Sequence, residues 1–337
     1  MLVMILAAGL GLRMRPLTLL RAKPVLPVLN RPLLHWTIER LAAQGFADVV
    51  VNLHHLPRSV TVALGDGSAL GVRIRYARET KVLGTAGGPR AVRDVFGDEA
   101  FLLVNGDVLF DFDLRDLVAR HRGSGAAATL ALRRNPDVRR YGAVVTDRSG
   151  RVRSLAGRPR PARGTPSLFT GVHVMEPTLL DRLPPGPASA VDDLYAPFVD
   201  EGGLVRGVRV GGTWYDLGRP RLYLDAQLRL VPGRGRDRSL VEPSARVGSG
   251  ALLRRAVVGA SAEVGSGARV ERAVLWEGAR VETGATVEDA ILVTGAVVRR
   301  GEAARGVAVL PERMARGRDD VGGPVERRGD MAWVAIR

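Results

Sequence analysis

The chain has 337 residues, is 46% hydrophobic and contains no cysteine, which excludes disulfides, zinc–thiolate centres and thiol chemistry while leaving ample apolar surface for a core. A length of this order predicts two domains. The formal charge of +15 invites a nucleic-acid reading, but lysine occurs only at positions 23 and 81, the arginines are scattered and aromatics make up 5%. An arginine-biased, solvated surface is the simpler expectation, with no nucleic-acid partner.

The first apolar run, VMILAA at 3–8, predicts a strand that turns at once into a loop containing Gly9, Gly11, Arg13 and Arg15, with Lys23 after a further bend. No basic segment precedes the run, and no apolar stretch reaches the ~20 residues of a membrane span, so a cytoplasmic protein without a membrane partner is expected. Glycines let backbone N–H groups approach an anion, arginine offers a rigid fork of donors and lysine a compact charge, a combination suited to polyphosphate. The loop is neither a Walker A sequence nor a GxGxxG fingerprint.

Up to about residue 120, strands expected at 2–7, 48–53, 72–76 and 101–104 alternate with helices at 32–44, 57–65, 86–94 and 113–121. Near-continuous apolar strands such as FLLV at 101–104 suit a parallel sheet covered on both faces. The pattern predicts a doubly wound, mostly parallel, Rossmann-like α/β domain whose ligands meet the carboxyl ends of the strands. Beyond residue 125 the texture changes to strands joined by turns. VTDRSGRV predicts a hairpin with Asp147 and Gly150 at its turn, 159–166 an irregular mobile loop, and 176–183 and 219–230 helices.

Residues 231–240 read as a domain junction, and a repeat follows. Val247, Val264, Val281 and Val298 recur every 17 residues, as do Leu253, Val270 and Val287, and Val258, Leu275 and Leu292. Each unit divides into six, six and five positions with one inward aliphatic residue per face, the pattern of a three-sided β-solenoid. It resembles the left-handed β-helix of the hexapeptide-repeat families. Acyltransferases of that kind use a coil histidine, whereas the last histidine here is His173, so a structural role is expected. The predicted organisation is an α/β domain at 1–232, a short left-handed β-helix (hexapeptide-type solenoid) at 239–310, and a partly flexible tail at 311–337 in which MAWVAI is a candidate strand. Coil ends and flat faces predict a homo-oligomer formed through the β-helix.

Two acidic residues stand out, Asp107 in FLLVNGDVLF and Asp216 in GTWYDLGRP. Either alone reads equally well as a turn former; beside a cationic loop they form a pair able to hold Mg²⁺ against phosphate oxygens. His54 and His55 lack a third ligand at suitable spacing and read as structural, and Trp36 reads as core packing.

LAAGLGLRMRPLT at 6–18 and AKPVLPV at 22–28, followed in order by NRPLLHWTIERLAAQG, VVVNLHHLP, VLGTAGG, VNGDVLF, YGAVV and WYDLG, resemble the sugar-1-phosphate nucleotidyltransferases over essentially residues 1–300. The resemblance implies transfer of a nucleotidyl group from an NTP to a sugar 1-phosphate, with Mg²⁺ as cofactor and pyrophosphate as the second product. By matching position, Arg13 and Lys23 are the signature cations on the phosphates, and Asp107 and Asp216 the metal ligands. Ala7, Ala8, Gly9, Gly11, Gly84 and Gly87 face the nucleotide, and Gly142, Arg158 and Thr170 the sugar phosphate. Two departures stand out: Leu12 replaces the usual threonine, and Gly157-Arg158-Pro159 replaces Glu-Lys-Pro, removing a carboxylate that would accept sugar hydroxyls. GTP with mannose 1-phosphate is the first substrate pair expected; UTP or dTTP with glucose 1-phosphate, or an amino-sugar phosphate such as N-acetylmuramate 1-phosphate, is the alternative. A non-catalytic sugar-nucleotide-binding regulatory subunit is the rival reading, opposed by retention of both cations and both aspartates.

Overall fold

The computed structural model describes residues 1–134, 138, 142–233, 235 and 237–336, so Tyr141 of the YGAVV motif lies outside the described residues. The chain forms two compact units: Met1–Leu10 with Leu34–Tyr215, and Gly11–Leu33 with Asp216 onward. This division differs from a break in the junction at 231–240. Residues 11–33 sit in the unit that also contains the repeats.

In the first unit a mixed sheet runs in the order Val152–Leu155, Ala143–Thr146, Thr165–Met175, Phe101–Asn105, Val3–Leu6, Asp48–Leu53, Arg73–Arg78. The four strands from Phe101–Asn105 to Arg73–Arg78 are parallel. On the main path the other half is antiparallel; off it, Ala128–Arg133 pairs antiparallel with Thr165–Met175 and parallel with Val205–Arg209. The doubly wound expectation therefore holds for the half that follows the βαβ pattern, and hairpin-joined strands complete the sheet. Val3, Met4, Ile5, Leu102, Leu103 and Val104 are fully buried, as continuous apolar strands covered on both faces require. The expected helices appear as Leu33–Ala43, Pro57–Leu64, Gly84–Ala91 and Leu114–Arg122, the last capped by the Asp113 carboxylate accepting from the N–H groups of Arg115 and Asp116. At the predicted hairpin, Asp147 accepts from the Ser149 hydroxyl and from the Ser149 and Arg151 N–H groups; led by the Ser149 hydroxyl, these bonds hold its carboxyl down at about 2.

In the second unit the three aliphatic columns stack in register. Val247, Val264, Val281 and Val298 are successive partners, as are Leu253, Val270 and Val287, and Val258, Leu275, Leu292 and Val309. The coils turn through left-handed residues that share the period: Gly250, Gly267, Gly284 and Gly301 at one corner, and Arg255, Arg272, Asp289 and Gly306 at another. The helix Pro220–Leu230 packs on the strands Leu252–Val258 and Arg269–Leu275. The candidate strand MAWVAI of the tail is present as Met331–Ala335. Val325–Arg328 and Met331–Ala335 form a hairpin that pairs with Val307–Pro311, because Met331 and Trp333 bury against the last coil. No helix among the described residues is long and apolar enough to cross a membrane.

Candidate functional site

The loop after the first strand is fixed by a residue that sequence reasoning passed over. Ala7 donates its backbone N–H to Asn52 Oδ1 at 2.6 Å, and Asn52 Nδ2 donates to Glu79 Oε1 at 2.7 Å. Glu79 Oε2 accepts the Leu83 N–H at 2.9 Å, and its backbone carbonyl lies 3.0 Å from His54 Nδ1. Asn52 is buried, and a Cβ on Gly88 would lie within 2.8 Å of both the Asn52 amide and the Glu79 carboxylate. The Ala7 N–H is thus engaged by protein. Exposed Gly9 is open, with nothing within 4 Å of where its Cβ would stand. The one available signal was a polar residue, Asn52, inside the apolar run 49–53.

Gly84 and Gly87 are explained by packing. A Cβ on Gly84 would fall 2.6 Å from the Ala188 carbonyl oxygen, and one on Gly87 would fall 2.2 Å from that of Gly186. The Ala86 and Gly87 N–H groups both donate to the Ala188 carbonyl, and Ala190 donates to Thr85 Oγ1. Residues 186–190 fill the space over these glycines.

Asp107 lies in the turn after Phe101–Asn105, half-buried, and that turn is tied to the first loop by the Gly106 N–H donating to the Leu6 carbonyl at 2.9 Å. Beside it a Cβ on Gly171 would meet the Asn105 amide at 2.5 Å, so residues 6–9, 105–107 and 170–171 are gathered at one end of the sheet. Thr170 is buried; its hydroxyl donates to the Ala131 carbonyl at 2.9 Å and its own carbonyl accepts from Trp214 Nε1. The Thr170 side chain is therefore committed to the sheet. Asp111 clamps the segment that precedes Trp214, accepting the Thr213 N–H at 2.6 Å and the Thr213 hydroxyl at 2.7 Å.

Gly142, Gly157 and Arg158 belong to a second cluster. Leu155 and Arg158 exchange both backbone hydrogen bonds around Ala156 (φ 52) and Gly157 (φ 85), a two-residue hairpin turn. The backbone at 157 is thus in the left-handed region, where a glutamate would be strained. A Cβ on Gly142 would meet Ala156 Cβ at 2.8 Å. Arg158 pairs with Asp192 at 3.2 Å on the surface.

In the second unit, Gly11 (φ 65) starts the turn Leu12–Met14, and the Thr18 hydroxyl donates to the Gly11 carbonyl at 2.9 Å. Met14 is fully buried, whereas Arg13 is exposed and no hydrogen bond or ion pair holds its guanidinium among the described residues. Arg15 is paired with Asp320, which makes it an anchor. Lys23 opens the turn Lys23–Val25, half-buried. Asp216 ends the strand Trp214–Asp216, half-buried, where a Cβ on Gly218 would crowd its carboxylate at 2.7 Å.

Asp107 and Asp216 supply hard oxygen donors, the chemistry Mg²⁺ requires. Among the described residues no group of three or more His, Cys, Asp or Glu side chains could hold a metal ion. A surface cleft of about 600 Å³ in the first unit, lined by residues including Arg120, Asp147, Arg206 and Arg209, contains none of these site residues.

A mixed α/β domain followed by a hexapeptide-type solenoid defines the class. Residues 2–231 match the nucleotidyl transferase family and 233–309 the GlmU-like C-terminal hexapeptide family, and the chain belongs to the nucleotidyl transferase family. It is 36% identical over 231 residues to the mannose-1-phosphate guanylyltransferase of Mycobacterium tuberculosis, covering 68% of this chain and 64% of that protein. It is 34% identical over 238 residues to the UTP–glucose-1-phosphate uridylyltransferase of Synechocystis sp., covering 66% and 61%. The chain thus spans less than two thirds of the length of these relatives. A solved structure of a putative glucose-1-phosphate thymidylyltransferase from Bacillus anthracis shares the fold, with a TM-score of 0.60 at 21% identity over 70% of this chain and 98% of that one.

Proposed function

We propose that the protein transfers a nucleotidyl group from an NTP to a sugar 1-phosphate, with GTP and mannose 1-phosphate the first pair to test. The observation that carries this reading is Arg13. Its guanidinium is exposed and has no partner among the described residues, while Gly11, Met14 and Arg15 around it are fastened. An unneutralised guanidinium on a restrained loop suits a triphosphate.

In the proposed reaction a phosphate oxygen of the sugar 1-phosphate attacks the α-phosphorus in line, the bond from that phosphorus to the bridging oxygen of the β-phosphate breaks, and pyrophosphate leaves. The nucleophile is already anionic, so no protein base is required. Alignment and charge stabilisation supply the rate. Arg13 binds the β- and γ-phosphates, Lys23 bridges phosphates nearer the reacting centre, and the backbone at Ala8 and Gly9 receives the base. Asp107 and Asp216 would hold Mg²⁺, which when bound offsets charge on the reacting phosphates. Arg158 exchanges its exposed partner Asp192 for the sugar phosphate, a cheap exchange because surface pairs contribute about 0–1 kcal/mol.

The hairpin turn at Gly157 supports keeping glucose 1-phosphate and amino-sugar 1-phosphates beside mannose 1-phosphate, with UTP or dTTP beside GTP. The reading includes self-association through the solenoid, supported by Val241, Val247 and Leu252 of the first coil being exposed. The test is pyrophosphate release from every NTP against a panel of sugar 1-phosphates with Mg²⁺. Turnover with at least one pair is expected, and none from folded protein would leave the regulatory-subunit reading in its place.

A further inference from the structure

The loop Gly11–Leu33, which carries Arg13 and Lys23, is fastened by the C-terminal part of its own compact unit. Arg15 donates to the Asp320 backbone carbonyl at 2.8 Å and pairs with the Asp320 carboxylate, with its side chain only 12% exposed. Next to that contact, a Cβ on Gly322 would lie 2.5 Å from the Arg15 carbonyl oxygen, so the tail lies directly on the loop backbone. Arg21 pairs with Glu277, donates to Thr294 Oγ1 at 3.2 Å and lies over the Trp276 ring. Tyr223 donates its hydroxyl to the Pro27 carbonyl, and Leu29 donates its N–H to Gln227 Oε1 at 2.9 Å. Asn30 Nδ2 donates to the Val258 carbonyl at 3.0 Å.

We infer that the C-terminal domain holds the phosphate loop in place, and that Asp320 is a positioning residue for Arg13. The inference rests on the reading of Arg13 as an NTP ligand. Arg13 sits in a turn bounded by Met14, which is buried, and Arg15, which is held by Asp320. Displacing the backbone that carries Arg13 requires releasing Arg15. Replacing the Asp320 carboxylate with an amide leaves a largely buried guanidinium without its anionic partner, so the contact that fixes the C-terminal side of the turn is weakened. Misplacement of a phosphate-binding group by ~1 Å is enough to impair binding and alignment.

The test uses the full chain with Asp320→Asn, and Asp320→Glu as the conservative rescue. Amide hydrogen exchange reads residues 11–22 without reference to turnover, and steady-state kinetics read KM for the NTP and for the sugar 1-phosphate separately. Asp320→Asn should speed exchange at 11–22 and leave the strands at 3–6 and 101–105 protected. It should also raise KM for the NTP about tenfold with KM for the sugar phosphate unchanged, and Asp320→Glu should restore most of both. Unchanged exchange at 11–22, loss of protection spread through the whole chain, or equal changes in both KM values would overturn the inference. If wild-type protein exchanges as expected but turns over no substrate pair, the exchange result still decides the anchor, and the transferase reading fails separately.

Discussion

Replacing Asn52 with aspartate tests the network under the first loop. In the wild type, Asn52 Nδ2 donates to Glu79 Oε1 at 2.7 Å while Asn52 Oδ1 accepts from Ala7. Asn52→Asp keeps the acceptor for Ala7 and turns the donor into a second carboxylate oxygen facing Glu79. A net hydrogen bond of ~1 kcal/mol is lost, and an unpaired carboxylate contact in a buried setting adds ~2 kcal/mol, for ~3 kcal/mol at pH 8. The two carboxylates then share one proton, so the upper pKa of the pair is raised above its unfolded-state value. A raised pKa means that the restored hydrogen bond is present at low pH and lost as pH rises, so the penalty shrinks towards ~1 kcal/mol by pH 5. For a unit of this size 1 kcal/mol corresponds to ~2–4 °C in Tm, giving a drop of ~6–12 °C at pH 8 and ~2–4 °C at pH 5. Thermal unfolding of wild type and variant at the two pH values measures this. Equal drops at both pH values would refute the contact between Asn52 and Glu79, and Asn52→Ala provides the control, with a loss of ~1–3 kcal/mol that does not depend on pH.

Other outcomes follow from the same reasoning. Asp107→Asn should reduce Mg²⁺-dependent pyrophosphate release by at least ~100-fold with little change in Tm, and retained turnover would remove Asp107 from the metal site. Tyr223→Phe strands the Pro27 carbonyl and the Trp276 N–H, which donates to the Tyr223 hydroxyl at 3.0 Å, and should cost ~1–3 kcal/mol in urea unfolding. Burial pushes the His173 imidazole down to about 3, and neither ring nitrogen has a partner among the described residues. The unfolded chain takes up that proton first, so stability falls as pH drops from ~6.5 towards that value, by up to ~1.4 kcal/mol per pH unit; His173→Leu should flatten the slope in acid titrations followed by circular dichroism. Val247→Glu on the first coil should lower the molecular mass measured by light scattering if the exposed end self-associates, and an unchanged mass would exclude that end.

Much of the candidate site was legible because its residue types are chemically specific. Glycines and cations beside a strand end pointed to phosphate, and Asp107 fell at the end of Phe101–Asn105 as the apolar run required. What escaped notice were residues whose role depends on a distant partner. Asn52 looked like one polar residue in a strand until it met Ala7, and Asp320 like part of a charged tail until it met Arg15. Gly84 and Gly87 suggested room for a ligand, whereas the backbone of residues 186–188 occupies that space.

The solenoid is legible in the residues alone, down to which aliphatic side chains stack, because a 17-residue period is written in contiguous residues and each coil meets only its neighbours. The parallel half of the first sheet is legible for the same reason, since apolar runs and helix periods are local. That the loop Gly11–Leu33 belongs with the C-terminal unit is legible only in three dimensions. That assignment rests on hydrogen bonds and ion pairs closing over as many as 305 residues, and a donor's partner at that distance is set by chain topology, which no local pattern encodes.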